Sequence, residues 1–229
     1  MNPVYFSEAV YQMASSGNKA KRVARTQAHL DKVGNSEKWV VVPEHSNKDI
    51  VTFKSADGRI HIAHRGTDIK RGKDLKADMA LGAGKEGDNK KFKKRVRNTV
   101  KAFKAFPDSE VSMSGHSLGG STAYYSVVSN KLIGDRVKRL DTFNLGRSPF
   151  QSLKITDKRK KMLAAKITHH RTKGDAVSAS AMINKPVGRI KSYVPKCGKA
   201  CKVKSLAAKA AGFGMTYKAL HNHTLEHFK

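Results

Sequence analysis

Residues 111–125 read VSMSGHSLGGSTAYY, a G-x-S-x-G pattern with Ser117 at its centre. So short a pattern is modest evidence alone, and its setting gives it weight. EVSMSG reads as a strand running in and SLGGSTAYYSVVSN as a helix running out, with small residues where the backbone must turn sharply. A serine on such a turn presents its hydroxyl to an incoming carbonyl carbon.

That hydroxyl is inert at neutral pH unless a base takes its proton, and the base needs an acid to hold its tautomer and stabilise its protonated form. In strand–turn–helix hydrolases the three follow in the order serine, acid, histidine. The acids after Ser117 are Asp135, Asp141, Asp157, Asp175 and Glu226. Asp175 is the best placed, because it follows the strand-like AKITHHRT through a glycine and so lies at a strand's C-terminal end, where α/β sites assemble. Asp141 falls at or within a strand, and Asp135 and Asp157 suit surface turns or helix starts. Three histidines follow Asp175, namely His221, His223 and His227. Read from the residues alone, any of them could be the base.

The elements around these residues predict an α/β fold. Residues 5–32 carry apolar and small side chains on a helical period broken near Ser15-Ser16-Gly17. WVVVPEH, DIVTFKS and RIHIAHRG are three short β-branched runs separated by turn signals, a meander. In residues 89–107, Phe92, Val96, Val100 and Phe103 recur at helical spacing, and Lys and Arg fill the other faces, which predicts an amphipathic helix with a solvated basic outside. GKDLKADMALGAG is a further helical candidate. After the serine turn come a strand, RLDTFNLG, a charged helix near residues 156–165, the strand AKITHHRT, and GRIKSYVP as a last strand. Strands alternating with helices imply parallel pairing. The chain is expected to form one domain over residues 1–229, with a helical segment over about 1–38 and a basic irregular or helical segment over about 185–220.

Several short motifs occur together in one order: AHRGTD at 63–68, DLKAD at 74–78, SGHSLGGS at 114–121, TFNLGRSPF at 142–150, KGDAVS at 173–178 and HTLEHF at 223–228. In this the chain resembles the class 3 lipases of the α/β-hydrolases, from about residue 40 to the C-terminus. The resemblance implies a mostly parallel central sheet flanked by helices, hydrolysis of carboxylic esters of lipids through an acyl-enzyme, and no cofactor. It makes Ser117 the nucleophile, Asp175 the acid and His223 the base, since H-T-L-x-x-F resembles the family's closing pattern. It places the oxyanion-hole N–H groups at Leu118 and Thr67. His116 fits the pattern as a structural residue. His64 departs from it, standing where a large apolar residue is usual, and this leaves the packing behind the oxyanion loop in question. The segment after Thr67 is too hydrophilic for an apolar lid.

Charge adds a second theme. Lys and Arg number 46 against 18 Asp and Glu, a net +28, and no acid occurs between Ala176 and Leu225. Such a surface attracts polyanions, so an anionic membrane surface and non-specific nucleic acid are expected partners beside the lipid ester substrate. The competing reading is a lipase-fold basic packing protein associated with nucleic acid or a virus particle, with little or no activity. The two cysteines, Cys197 and Cys201, provide no disulfide framework. With His221 or His223 they would make a strained zinc site, so no metal is expected. MNPVYFSEAVYQM does not read as a signal peptide, and no run approaches a membrane span, so a soluble intracellular or virion-packaged protein is the expectation.

Overall fold

The structure, a computed structural model, describes residues 1–67, 90–146, 155–175, 178, 186–195 and 224–229. Two helices come first, α1 (Pro3–Gln12) and α2 (Lys19–Lys32), each started by an asparagine whose side chain accepts a backbone N–H of the first turn. The meander is β1 (Val40–Val41), β2 (Ile50–Lys54) and β3 (Ile60–His64). Then follow α3 (Lys90–Ala105), β4 (Val111–His116), α4 (Leu118–Ser129), α5 (Lys131–Arg136), β5 (Val137–Phe143), α6 (Asp157–Ala164), β6 (Ile167–Thr172) and β7 (Arg189–Tyr193). A 3-10 turn, Leu225–Phe228, closes the chain.

The seven strands make one sheet in chain order. β1 to β3 pair antiparallel, and β3 to β7 pair parallel. Alternation along each strand sends side chains to two different cores. One face carries Ile60, Ile62, Val111, Met113, Leu140 and Ile167 against α3, α4, α5 and α6. The other packs Val51, Phe53 and Ala63 against α1 and α2, and farther along it Phe143 meets Val4, Leu225 and Phe228. Phe6 anchors this second core, its ring centroid 5.0 Å from Trp39, 5.1 Å from Phe53 and 4.0 Å from the stacked His61. Truncating such a side chain costs about 3–5 kcal/mol.

The α/β class and the mostly parallel sheet match the sequence reading. One expectation needs correction. Arg95 on α3 is buried, not solvated: it donates to Asp49 Oδ1 at 3.0 Å, to the Arg65 carbonyl at 2.7 Å and to Thr122 Oγ1 at 3.3 Å. Residues 189–193 form the edge strand β7, where GRIKSYVP predicts a last strand. The helical candidate and lid region after Thr67, the acid-free tract's centre, and both cysteines lie outside the described residues. No helix among the described residues is long and apolar enough to cross a membrane.

Candidate active site

Ser117 stands between β4 and α4 with φ 54 and ψ −125. Only Lys38 and Asn144 share a positive φ among the described non-glycine residues. A side chain held there costs roughly 1–3 kcal/mol of backbone strain, so the surroundings must fix it. They do. The Ser117 N–H donates to the Phe143 carbonyl at 2.9 Å, continuing the β4–β5 ladder past the turn. Its own carbonyl accepts the N–H of Ser121 at 3.0 Å, the first turn of α4. The flanking glycines are required by closeness of backbone. A Cβ at Gly115 would fall 2.5 Å from the carbonyl carbon of Gly119, and one at Gly119 would fall 2.2 Å from the His64 carbonyl oxygen.

That second contact brings the Arg65-Gly66-Thr67 loop onto the start of α4. A Cβ at Gly66 would lie 2.5 Å from the His116 carbonyl oxygen and 3.3 Å from Ser117 Cβ. Thr67, next in the chain, is buried. The loop is tied from behind: Arg65 donates its N–H to the Asp49 carbonyl at 2.8 Å and its Nε–H to the Lys48 carbonyl at 2.6 Å, while Arg95 holds the Arg65 carbonyl. The histidine that departed from the apolar pattern is fully accommodated. His64 joins Thr122 Oγ1 through Nδ1 and Thr99 Oγ1 through Nε2, both at 3.1 Å, and burial pushes its pKa down to about 3, so it is neutral. On the other face His116 Nδ1 joins the Tyr11 hydroxyl at 2.9 Å. That hydroxyl also stands against Gly66. His116 is thus tied to Tyr11, 105 residues away, a supporting residue that the sequence does not single out. Nothing in a lone tyrosine on a helix signals it.

Asp175 lies just past the C-terminal end of β6 and is fully buried. Its N–H donates to the Thr172 carbonyl at 3.2 Å, and its Oδ2 accepts the Ser178 N–H at 2.9 Å. Asn144 links it to the serine turn. The Asn144 N–H donates to the His170 carbonyl and its Oδ1 accepts the Thr172 N–H, both at 2.8 Å. Asn144 lies in the TFNLG motif, whose residue types do not by themselves signal this bridge. Ser117 and Asp175 thus follow strands two places apart, about 10 Å of sheet width, a gap that an imidazole between them would fill.

His223 and His221 lie outside the described residues. The chain is described again from Thr224, where Leu225 and Phe228 pack on Phe143. Phe228 also lies 5.1 Å from the Tyr193 ring, Lys229 pairs with Glu8 at 2.7 Å, and His227 is buried rather than solvated. This closing turn therefore sits against the residue whose carbonyl receives the Ser117 N–H. Among the other acids, Asp141 is engaged elsewhere, with Arg139 and with His170 Nε2 at 2.8 Å. Burial pushes its carboxyl up, but those two bonds outweigh it and hold it below the usual carboxylate range. Asp135 pairs with Lys131 and Arg159, and Asp157 opens α6. No group of three or more metal-ligating side chains occurs among the described residues.

No family model matches the chain, and no curated protein matches its sequence. Solved structures do. A triacylglycerol lipase whose catalytic centre is formed by a serine protease triad superimposes with a TM-score of 0.51 at 11% identity, over 96% of this chain and 91% of that one. The fold is that of a lipase. Lipase II from Rhizopus niveus gives a TM-score of 0.49 at 12% identity over 85% of this chain and 80% of that one. Lip2 lipase from Yarrowia lipolytica gives 0.47 at 14% identity over 85% and 77%. The resemblance read from the motifs holds at the level of the lipase fold, and the packing-protein reading gains no support from these comparisons.

Proposed function

We propose that the protein is a serine hydrolase that cleaves carboxylic esters of lipids, phospholipid or acylglycerol, through an acyl-enzyme. In this reading His223 takes the Ser117 proton as Oγ attacks the ester carbonyl. Asp175 orients the ring and stabilises its protonated form. The N–H groups of Leu118 and Thr67 receive the developing oxyanion, each such fixed dipole supplying a few kcal/mol in a dry site. His223 then returns the proton to the leaving alkoxide, and water, deprotonated by the same ring, releases the acid.

The observation that carries this reading is the Ser117 backbone. A serine is held in a strained conformation at a strand-to-helix turn, with a glycine loop closed against its Cβ. The positive N-terminal end of α4 points at the same spot. The test is labelling by a fluorophosphonate probe. Wild type is expected to become covalently labelled and Ser117→Ala to remain unlabelled; equal labelling of both removes the assignment.

A further inference from the structure

The +28 charge is not used by the catalytic reading, and one part of it converges. A cleft of about 460 Å3 opens between the α1–α2 turn, the loop before β2 and the first turns of α3. Lys19, Arg22, Lys48 and Lys94 line it, with Met13 at its buried base and Asn47 and Asn98 among its polar groups. Among its described residues the one acid, Asp49, is already committed, to Arg95 at 3.0 Å and Arg65 at 3.5 Å. Burial pushes the Asp49 carboxyl up, but the charges of Arg95 and Arg65 and, more weakly, Lys94 outweigh it and keep it ionised, so its one negative charge is shared among several cations and leaves the rim net positive. The three lysines make no ion pair with an acid among the described residues. Arg22 donates Nη1 to the Gly17 carbonyl at 3.1 Å, while its buried Nε–H finds no acceptor there. Four cations around one cavity, one with an unmet donor, is an arrangement that wants a multivalent oxyanion.

Its position gives it a use. The loop before β2, the beginning of α3 and the α1–α2 turn all lie at the edge of the sheet where β3 and β4 end, the edge that carries Ser117. The carbonyls of Lys48 and Asp49 hold Arg65 directly, and Thr67 is two residues farther, at most about 7 Å of chain. Among the described residues the lining includes no aromatic side chain on which a nucleic-acid base could stack. A pocketed phosphate beside an ester-cleaving edge fits a lipid headgroup better than a polynucleotide.

We propose that this cleft binds the headgroup phosphate of an anionic phospholipid and holds it while the acyl ester enters at Ser117. The consequence for substrate choice rests on the hydrolase reading; the binding does not. The test is therefore made in the Ser117→Ala background, by co-sedimentation with vesicles of phosphatidylglycerol and phosphatidylcholine and with vesicles of phosphatidylcholine alone. Lys48→Ala and Lys94→Ala are each expected to weaken binding to the anionic vesicles about fivefold and the pair about thirtyfold. Lys104→Ala, an exposed position about 15 Å along the same helix, should change it less than about twofold. Titration with inorganic phosphate and with a DNA duplex provides the competing sources. Vesicle binding that is lost only in the cleft variants and exceeds binding of free phosphate supports the proposal. Equal losses in Lys104→Ala, tighter binding of the duplex sensitive to the same lysines, or no vesicle binding overturns it. If vesicles bind through the cleft while wild type cleaves no ester, the hydrolase reading fails alone; if wild type cleaves esters while the cleft variants bind normally, the cleft fails alone.

Discussion

Gly119→Ala separates the two halves of the candidate oxyanion hole. Its Cβ would fall 2.2 Å from the His64 carbonyl oxygen, 2.7 Å from the Arg65 carbonyl carbon and 2.7 Å from the Gly66 nitrogen. All three are main-chain atoms, fixed by the β3–β4 register and by the bond from Arg95, so none can swing aside. Helix α4 and the loop must part by about 1 Å, and overpacking of this kind costs about 1–3 kcal/mol. For a domain of this size that lowers the melting temperature by roughly 2–12 °C. The same displacement moves Leu118 away from Thr67, and a 1 Å error in such a site costs about 100-fold. It should appear in kcat on a p-nitrophenyl ester and in the fluorophosphonate labelling rate, with KM little changed. Gly120→Ala is the neighbouring control: its Cβ would meet Gly115 O at 3.0 Å and Thr142 Cβ at 3.3 Å, against the sheet and not the loop. It should cost stability and retain most activity. Normal kcat in Gly119→Ala, or a greater loss of kcat in Gly120→Ala, would refute the argument.

Ser117→Ala and His223→Ala should each lower kcat by several orders of magnitude, the double variant being little worse than either and Asp175→Asn costing less, as for groups acting as one unit; additive losses in steady-state assays would separate them. Full activity in His223→Ala with collapse in His221→Ala or His227→Ala would shift the base to another histidine. Burial holds the pKa of His61 and His64 at about 3 and of His169 at about 4. Between those values and about 6.5 the unfolded chain binds protons that the folded chain refuses, so stability falls with falling pH by up to about 1.4 kcal/mol per pH unit for each ring. Urea midpoints measured from about pH 7.5 down to about pH 5 should therefore decline, and a flat profile would contradict the burial. Arg95→Ala should destabilise by about 1–3 kcal/mol in urea unfolding, because it removes a buried guanidinium from the part-exposed Asp49 and leaves the buried Arg65 carbonyl short of a donor; no measurable loss would place Arg95 in solvent after all.

What the sequence disclosed was local. The strand, serine turn and helix were legible because alternation along VSMSGH and small residues after it are patterns within a few positions. Asp175 was legible as a residue following a strand. Arg95 was not: a charge in an amphipathic helix reads as solvent-facing unless its partner is known, and Asp49 lies 46 residues earlier. The same distance problem hides Tyr11 from His116, and it hides the cleft, whose cations come from segments that meet only in the folded chain. His64 looked like a defect because a histidine was compared with an apolar side chain; two buried threonines, Thr99 and Thr122, turn it into a cross-brace between β3 and the helices above it.

Register is what joins these local signals into a site. His64 pairs with Gly115, His116 with Phe143, and Phe143 with His170 across β3 to β6. Each strand therefore ends at nearly the same level. The residue after each end belongs to the candidate site: the Arg65-Gly66-Thr67 loop after β3, Ser117 after β4, Asn144 after β5 and, three residues on, Asp175 after β6. A slip of β4 by one residue against β3 and β5 would exchange its two faces, taking His116 from Tyr11 and the Phe143 carbonyl from the Ser117 N–H. The strained serine conformation would lose its fixing bond and relax. The buried polar pairs on the α1 face, Ser7 with Ser114 and His61 with Ser112 and Ser114, would be left unpartnered by the same slip, each at about 1–3 kcal/mol. Interior hydrogen bonds remote from the nucleophile thus keep it in place, by making every other pairing of these strands more costly.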